Sequence, residues 1–278
     1  MLLSYFCQKW EIMFEDKVVA ITGGTDGIGK ALVAIFLKEN ARVATCSRTA
    51  EKLFQLKKEF PEKSLFTMVA DVSIEEDCKN FIEQTLIEFK RIDVLINNAG
   101  ISMRALFKDT DLATLRKVMD INFWGTVCCT KYALNTIIEN KGTIVGIASI
   151  AGYRGLPGRS GYSASKAAVI RWMETIRTEL LDTGVNVMWV APGFTASNTR
   201  FAALGEDGKP VLDSREDEGK IMTAEECAGH IVKAIEKRKR TLILTLQGKE
   251  AVFMNKLFPR LADKIIRKMY FKNDKMIK

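Results

Sequence analysis

Short apolar runs alternate with longer amphipathic stretches along most of this 278-residue chain. Seven such runs, several rich in β-branched residues, lie at 18–21, 42–46, 65–69, 94–96, 142–147, 185–190 and 241–244. Helical patterns fill the intervals near 28–39, 75–89, 112–139 and 163–182. Strands that are apolar throughout belong to sheets covered on both faces, and helices between them join parallel strands. The chain is therefore predicted to be an α/β protein with a single doubly wound parallel sheet flanked by helices and a C-terminal helical extension.

Composition excludes several classes of function. The only histidine, His230, rules out a multi-histidine metal site within the chain, so no metal is expected. Six scattered cysteines without a Cys-x-x-Cys pair are typical of a reducing compartment and predict a cytoplasmic protein. The net charge of +8 is concentrated in residues 255–278, and no helix-turn-helix, zinc-finger or basic-zipper pattern accompanies it. Nucleic acid is therefore not an expected partner.

The chain divides most simply into three parts. Residues 1–12 form a short N-terminal segment that is apolar but too brief to span a bilayer. Met13, just before the first strand, is a suspected true start. One domain is expected over 13–254, because no repeat or low-complexity linker interrupts it. Residues 255–278 form a basic amphipathic tail.

Tyr162 and Lys166 have a spacing that suits acid–base chemistry. Four positions on a helix place two side chains on one face, about one turn apart. A free tyrosine has a pKa near ~10, and moving it to about 7 requires roughly 4 kcal/mol of preferential stabilisation of the phenolate. A neighbouring ammonium group can supply much of this. A solvated helix surface is the alternative for the pair taken alone.

A glycine-rich turn follows the first strand and precedes the first helix. Glycines allow a tight turn and let the backbone approach a pyrophosphate, while the start of the helix directs its amides and positive dipole at the same charge. This context predicts a dinucleotide site. The residues concerned are Gly23, Thr25, Asp26, Gly27, Ile28 and Gly29.

Ser47 and Arg48 stand at the end of the second strand, where NAD enzymes place a carboxylate on the ribose hydroxyls. A guanidinium suits a 2′-phosphate, because it forms charge-assisted hydrogen bonds with it. NADP(H) is therefore favoured over NAD(H) as cofactor.

Further motifs appear in a fixed order along the chain. They are Asp71-Val72 after the third strand, Asn97-Asn98-Ala99-Gly100 at the fourth, Asn122 in the long helix, Ser149 thirteen positions before Tyr162, and Pro192-Gly193 after the sixth strand. With the turn at 22–29, this set resembles the short-chain dehydrogenase/reductase family over roughly residues 16–245. The resemblance implies a Rossmann-type fold and an enzyme that interconverts a ketone or aldehyde and an alcohol by hydride transfer.

The resemblance also implies individual roles. It places Asp71 and Val72 at the adenine, and Asn97, Asn98, Ala99 and Gly100 at the adenosine ribose. Tyr162 and Lys166 would contact the nicotinamide ribose, and Thr195 its carboxamide. Ser197 would lie near the pyrophosphate, and Pro192 and Gly193 belong to the same set of cofactor-binding residues. Tyr162 would donate a proton to the carbonyl oxygen, which Ser149 orients. Lys166 would lower the pKa of the tyrosine, and Asn122 would anchor a water that resupplies protons. Asp26 stands where many NADP-preferring relatives carry a basic residue.

The C-terminal third resembles the 11-beta-hydroxysteroid dehydrogenase branch of the family most. This implies a lipophilic carbonyl or alcohol as the small-molecule substrate. Ser149 and three side chains near the expected mouth, Tyr153, Leu156 and Arg159, are the candidate substrate residues. The stretch 195–223, rich in small and charged residues, is interpreted as a mobile lid.

The tail leaves two placements open. Leu261, Ile265 and Met269 recur every four positions beside basic residues. This pattern suits either peripheral contact with an anionic membrane or packing against the body or another subunit. By analogy with the family, a homo-dimer or tetramer is expected through the helices near 112–139 and 163–182. The rivals to an enzyme are a non-catalytic NADP(H)-binding redox sensor and a membrane-peripheral scaffold.

Overall fold

A seven-stranded parallel sheet forms the centre of the protein, with the strand order β3-β2-β1-β4-β5-β6-β7. The computed structural model describes residues 13–193, 195, 202–211, 221–273 and 275–276. The strands are β1 (Val18–Thr22), β2 (Arg42–Ser47), β3 (Leu65–Val69), β4 (Val94–Asn97), β5 (Thr143–Ile147), β6 (Asn186–Ala191) and β7 (Thr241–Ile243). All seven predicted runs are strands, and the predicted α/β fold is confirmed.

Helices cover both faces of this sheet. They are α1 (Gly27–Lys38), α2 (Ala50–Glu59), α3 (Glu75–Phe89), α4 (Leu112–Met119), α5 (Gly125–Glu139), α6 (Ser160–Glu179), α7 (Ala224–Glu236), α8 (Leu246–Leu257) and α9 (Pro259–Tyr270). Val19 and Ile21 of β1 pack in the core under α1 and α7, whereas Val18 and Ala20 pack in the core under α3, α5 and α6. Successive side chains of a strand point to opposite faces, which explains why β1 is apolar throughout.

The chain reverses direction in the sheet between β1 and β4. It runs outward from β1 through β2 to β3 and then returns to β4, which pairs with the other side of β1. Ligands of open α/β sheets bind at such a switch point, beyond the carboxyl ends of the strands. Thr22 and Asn97 end these two strands.

The helix predicted over 112–139 is confirmed as one helical stretch, and it contains a π-turn. A π-turn over Asp120–Trp124 separates α4 from α5 and holds Ile121 and Asn122 buried. Such turns insert one residue into a helix and often accompany functional sites. The sequence pattern predicts a single helix across the π-turn, because the polar and apolar residues keep a nearly helical periodicity through it.

The C-terminal helices follow β7 and pack on each other, and α8 also packs on the short turn Ile150–Gly152. Helix α8 spans the predicted boundary at 254, and α9 leads into a small hairpin of β8 (Phe271–Lys272) and β9 (Lys275–Met276). Ala262 and Tyr270 of α9 are buried. Among the described residues, no helix combines the length and apolar character needed to cross a bilayer.

Candidate active site

The glycine turn joins β1 to α1 at the switch point. Gly23 has a φ of +70°, and a Cβ on Gly29 would lie 2.2 Å from the carbonyl oxygen of Gly23. Both positions therefore require glycine. The side chain of Asp26 turns to Lys52 and does not cap α1. The start of α1 is thus built to receive a phosphate, and these residues fit the predicted dinucleotide.

The segment after β4 is fastened to this turn. The hydroxyl of Thr22 accepts hydrogen bonds from the amides of Asn98 and Ala99, both at 3.0 Å. The Asn98 side chain donates to the carbonyl oxygens of Thr22, at 3.0 Å, and Gly23, at 3.1 Å. Asn98 and Ala99 are therefore brought to the cofactor crevice, where the Asn98 amide supports the glycine turn. Thr22 also supports the glycine turn, through its hydroxyl, and it was not among the individually predicted cofactor residues.

Three other predicted cofactor residues lie at the same crevice. The Asn97 side chain donates to the hydroxyl of Thr130 in α5 at 2.9 Å, so it faces the helix layer. Val72 is buried, and a Cβ on Gly125 would lie 2.9 Å from its side chain. The carboxylate of Asp71 accepts a hydrogen bond from the Ser73 hydroxyl at 2.7 Å. The roles assigned to these residues at adenine and ribose stay predictions.

The end of β2 carries the groups predicted to select the dinucleotide. The Thr25 hydroxyl donates to the Ser47 hydroxyl at 3.0 Å, so the glycine turn and β2 meet here. The guanidinium of Arg48 lies 3.9 Å from the Asp71 carboxylate and is half exposed. Lys52, which pairs with Asp26, is the cation that sequence reasoning missed. It lies in α2, a helix that was not predicted.

Tyr162 and Lys166 stand one turn apart near the start of α6, as their spacing predicted. The Lys166 Nζ lies 5.9 Å from the centroid of the Tyr162 ring and donates a hydrogen bond to the carbonyl oxygen of Ile147 at 2.6 Å. Burial lowers the pKa of Lys166 from 10.5 to about 8. Lys166 therefore releases its proton more easily than a free lysine, yet it stays mostly protonated at neutral pH in the cofactor-free protein.

Ser149 and Arg159 flank the phenol from two other segments. Ser149 caps the short helical turn Ile150–Gly152, its hydroxyl accepting from the amide of Ala151 at 3.1 Å. Burial raises the pKa of Tyr162 above its ordinary value, and the Ser149 hydroxyl and the positive charge of Arg159 offset only part of this rise. The influences that lower the phenol pKa thus come from Ser149 and Arg159, whereas a lowering by Lys166 stays a prediction.

Asn122 completes the group of four predicted catalytic residues. Its side chain accepts from the amide of Ile101 at 2.8 Å and donates to the Ile101 carbonyl oxygen and the Ser165 hydroxyl, both at 2.9 Å. A Cβ on Gly100 would lie 3.1 Å from the Asn122 Oδ1 and 3.2 Å from the Lys166 Nζ. Both side chains therefore converge on Gly100. The π-turn brings Asn122 there, where it joins the loop after β4 to α6.

The loop after β6 closes another side of the crevice. The Pro192 carbonyl oxygen accepts from the amide of Ile150 at 3.2 Å, and a Cβ on Gly193 would lie 2.6 Å from the Thr245 hydroxyl. Thr195 is buried, and its hydroxyl donates to the Gly193 carbonyl oxygen at 3.3 Å. Ser197 and much of the predicted lid lie outside the described residues.

The predicted substrate residues do not share one environment. The Tyr153 hydroxyl accepts a hydrogen bond from the Trp189 indole at 2.7 Å, so its polar end is engaged within the protein. Leu156 lines a cavity of about 480 Å³ together with Pro157, Ile266 and Phe271. Arg159 precedes α6 and acts on Tyr162 by its charge. Substrate contact by these residues stays a prediction.

Comparison with known proteins gives consistent matches. A family model described as short chain dehydrogenase matches residues 17–206. The chain is 40% identical over 238 residues to 11-beta-hydroxysteroid dehydrogenase-like 6 of Arabidopsis thaliana, covering 82% of this chain and 69% of that protein. It is 34% identical over 259 residues to dehydrogenase/reductase SDR family member 7B of Xenopus tropicalis, covering 89% of this chain and 83% of that protein.

Among solved structures, a short chain dehydrogenase/reductase from Burkholderia phymatum in complex with NAD has a TM-score of 0.80 at 20% identity. The alignment covers 89% of this chain and 95% of that one. At this identity the likeness supports the fold alone. The range matched by the family model contains both the glycine turn and the four converging side chains.

Proposed function

Because the chain belongs to the short chain dehydrogenase family, as its motifs predict, and is thus an NAD(P)-dependent oxidoreductase, we propose that it is an NADP(H)-dependent carbonyl reductase. The proposed substrate is a lipophilic ketone or aldehyde, and the same groups would catalyse the reverse oxidation. One observation carries the proposal most directly. Lys166 lies on the same helix face as Tyr162, one turn away and with its Nζ 5.9 Å from the centroid of the phenol ring, and the Ser149 hydroxyl lowers the pKa of that phenol.

Each of the four candidate catalytic residues has a separate role in the proposed reduction. When bound, the nicotinamide supplies the hydride that reduces the carbonyl carbon. Tyr162 donates its proton to the carbonyl oxygen as the alcohol forms, and Ser149 orients that oxygen by a hydrogen bond. Lys166 stabilises the phenolate that remains, and Asn122 holds the loop and helix that border the site. The proton lost by Tyr162 is then replaced from solvent.

Tyr162→Phe tests this assignment, since it removes one hydroxyl and keeps the ring. NADPH consumption with a panel of ketones should fall by at least about 100-fold, the usual range for a lost general acid. NADPH binding, followed by fluorescence, should weaken far less. Equal turnover by both proteins would exclude Tyr162 as the acid. An intact protein that binds NADPH but turns over no ketone would favour the redox sensor, and one that binds no dinucleotide would favour the scaffold.

The preference for NADP(H) is supported by two cations beside the glycine turn. Arg48 is half exposed at the end of β2, and Lys52 pairs with Asp26. The pairing neutralises the carboxylate that stands where NADP-preferring relatives have a base. A 2′-phosphate near Ser47 would thus meet a positive field.

Single substitutions Arg48→Ala and Lys52→Ala test the preference. A charge-assisted hydrogen bond is worth about 1.5–3 kcal/mol, so Arg48→Ala should weaken NADPH binding by roughly 10- to 100-fold and leave NADH binding nearly unchanged. Lys52→Ala should also weaken NADPH binding, but by a smaller factor. Lys57→Ala, an exposed lysine on the same helix, is the matched control. Equal effects of Arg48→Ala on both dinucleotides would contradict the preference.

Membrane contact is supported by the outer face of the C-terminal helices. Seven large apolar side chains there are between 43% and 75% exposed, namely Leu246, Phe253, Leu257, Phe258, Leu261, Ile265 and Met269. On α9, the exposed cations Arg260, Lys264 and Lys268 form a row directly beside Leu261, Ile265 and Met269. Such a face fits the surface of an anionic bilayer, where apolar side chains enter the interface and cations meet lipid phosphates. A lipophilic substrate would be concentrated at the same surface.

Vesicle flotation tests this contact. Replacing Leu261, Ile265 and Met269 with serine should reduce binding to vesicles of phosphatidylserine and phosphatidylcholine, and high salt should weaken the binding of the unaltered protein. Leu181→Ser, at a leucine that is 71% exposed elsewhere, is the matched control. Unchanged binding of the triple variant would contradict the membrane placement.

Two further expectations belong to the same proposal. A homo-dimer or tetramer through α5 and α6 is supported by the exposure of Trp124 at the start of α5. Sedimentation of the purified protein tests it, and a single monomeric species would contradict it. A cytoplasmic location, on a membrane surface or free, would be tested by fractionation of cells.

A further inference from the structure

The catalytic loop, residues 149–154, connects Ser149 to the C-terminal helices. We propose that Asn255 of α8 is a positioning residue, which fixes this loop from outside and so holds the Ser149 hydroxyl against Tyr162. The proposal rests on the proposed function, because it assigns Ser149 a part in carbonyl reduction. Asn255 lies 106 residues after Ser149 in the sequence, and no motif of the chain points to it.

Asn255 binds the loop through both ends of its amide. Its Nδ2 donates a hydrogen bond to the main-chain oxygen of Tyr153 at 3.0 Å. Its Oδ1 accepts a hydrogen bond from the guanidinium of Arg154 at 3.1 Å. One side chain therefore engages two consecutive loop residues, one through the backbone and one through the side chain. An amide can do this because it carries a donor and an acceptor together.

Arg154 also reaches α9, where it donates to the Asp263 carboxylate at 2.6 Å. The Arg154 side chain is only 18% exposed, whereas that of Asp263 is 65% exposed. Water screens the charge of so exposed a carboxylate, and such pairs add little rigidity. Asn255 is partly buried and contacts the backbone itself. It is therefore the stronger of the two anchors.

The opposite side of the loop is held by the sheet. The Trp189 indole of β6 donates to the Tyr153 hydroxyl at 2.7 Å, and the Ile150 amide donates to the Pro192 carbonyl oxygen at 3.2 Å. Helix α8 also presses on the loop directly, since a Cβ on Gly248 would lie 2.8 Å from the Ile150 side chain. The loop is thus clamped between β6 and α8, and loss of Asn255 would free one side.

A shift at Tyr153 is transmitted to Ser149 over four residues. The Tyr153 amide donates to the Ile150 carbonyl oxygen at 2.9 Å, and the Gly152 amide donates to the Ser149 carbonyl oxygen at 2.9 Å. These bonds make the segment one rigid turn. Its displacement would move the Ser149 hydroxyl relative to the phenol and so weaken the influence by which Ser149 lowers the pKa of Tyr162. Arg159 and Lys166, the charged groups that also face the phenol, would stay in place on or beside α6.

Asn255→Ala tests the positioning role in the full-length protein. We expect kcat for ketone reduction to fall about tenfold, because small misplacements of reacting groups cost this much or more. KM for NADPH should not change. The alkaline limb of the pH profile of kcat should move to higher pH, because the phenol loses part of the influence of Ser149 that favours its ionised form. Asn255→Asp keeps the acceptor for Arg154 but loses the donor to Tyr153, and should resemble Asn255→Ala. Glu250→Ala, an exposed residue of α8, is the matched control.

Three outcomes would overturn the proposal. They are a kcat and pH profile of Asn255→Ala equal to those of the unaltered protein, an equal loss in Glu250→Ala, or a lower kcat with an unmoved pH profile. Ultraviolet titration of the Tyr162 phenol, obtained by subtracting the Tyr162→Phe spectrum, gives a readout that does not depend on turnover. If the unaltered protein reduces no ketone, the proposed function fails, while a raised phenol pKa in Asn255→Ala would still support the positioning role.

Discussion

Lys166 offers a quantitative test of the electrostatics of this site through protein stability. Its side chain is 4% exposed, and burial lowers its pKa from 10.5 to about 8. Each pH unit of such a difference is worth about 1.4 kcal/mol. Keeping Lys166 protonated in the cofactor-free folded protein at neutral pH therefore costs about 3 kcal/mol. The charge that we propose to act in catalysis thus destabilises the protein that carries it.

The pH dependence has a definite sign. The pKa of Lys166 is lower in the folded than in the unfolded protein, so the unfolded chain binds more protons between pH 8 and 10.5. The contribution of Lys166 to stability consequently rises with pH in this window. The cost is complete below pH 8 and absent above pH 10.5. Lys166→Met has no such dependence. Relative to this variant, the free energy of unfolding of the unaltered protein should rise by about 2 kcal/mol between about pH 7 and about pH 10.

Urea unfolding of both cofactor-free proteins at the two pH values, followed by tryptophan fluorescence, measures this change. Other titrating groups are common to both proteins and cancel in the difference. The lost hydrogen bond to Ile147, worth about 1 kcal/mol, contributes equally at both pH values. Lys131→Met, an exposed lysine of α5, reports the effect of removing a surface charge. A difference between Lys166→Met and the unaltered protein that is constant with pH, or that changes in the opposite direction, would refute the reasoning.

Three other substitutions or reagents test the fold. Thr223→Ala removes the cap that Thr223 and Glu226 form at the start of α7 and should lower the free energy of unfolding by about 1 kcal/mol in urea titrations. Gly142→Ala would place a Cβ 2.4 Å from the Asp93 carbonyl oxygen. It should lower the melting temperature, and an unchanged melting temperature would show that the backbone yields there. Burial raises the pKa of the Cys46 thiol to about 12. Thiol reagents should therefore label Cys46 only after unfolding, as mass spectrometry would show.

Local pattern was sufficient for the sheet but not for every helix. β1, β4, β5 and β6 are largely apolar runs buried on both faces, and β2 is buried except at its ends. The edge strands β3 and β7 are only partly buried. Apolar runs of this kind can be recognised in the sequence without knowing which strands pair. Helix α7 was missed, although Thr223 and Glu226 have the spacing of a capping box and form one. This is the sequence feature that could have revealed it. The π-turn between α4 and α5 depends on how Asn122 packs, and no local pattern encodes that.

Sequence spacing located two side chains relative to each other where one helix carries both, and it missed contacts between distant segments. Tyr162 and Lys166 follow from helical spacing alone. The partner of Asp26 is Lys52, 26 residues away. The hydroxyl of Tyr153 is taken by Trp189, 36 residues away. Such pairings are set by the packing of helices and loops on the sheet, so a single sequence does not reveal them.

The π-turn over Asp120–Trp124 makes this part of the chain sensitive to deletion of a residue. Each helical residue advances by about 100°. Deleting one codon within the turn would therefore rotate everything downstream in α5 against α4 and withdraw the Asn122 amide from Ile101 and Ser165. A substitution on the solvent-exposed side of these helices leaves the rotation of α5 relative to α4 unchanged. Length at this position should consequently be under stricter selection than residue identity on the solvent side.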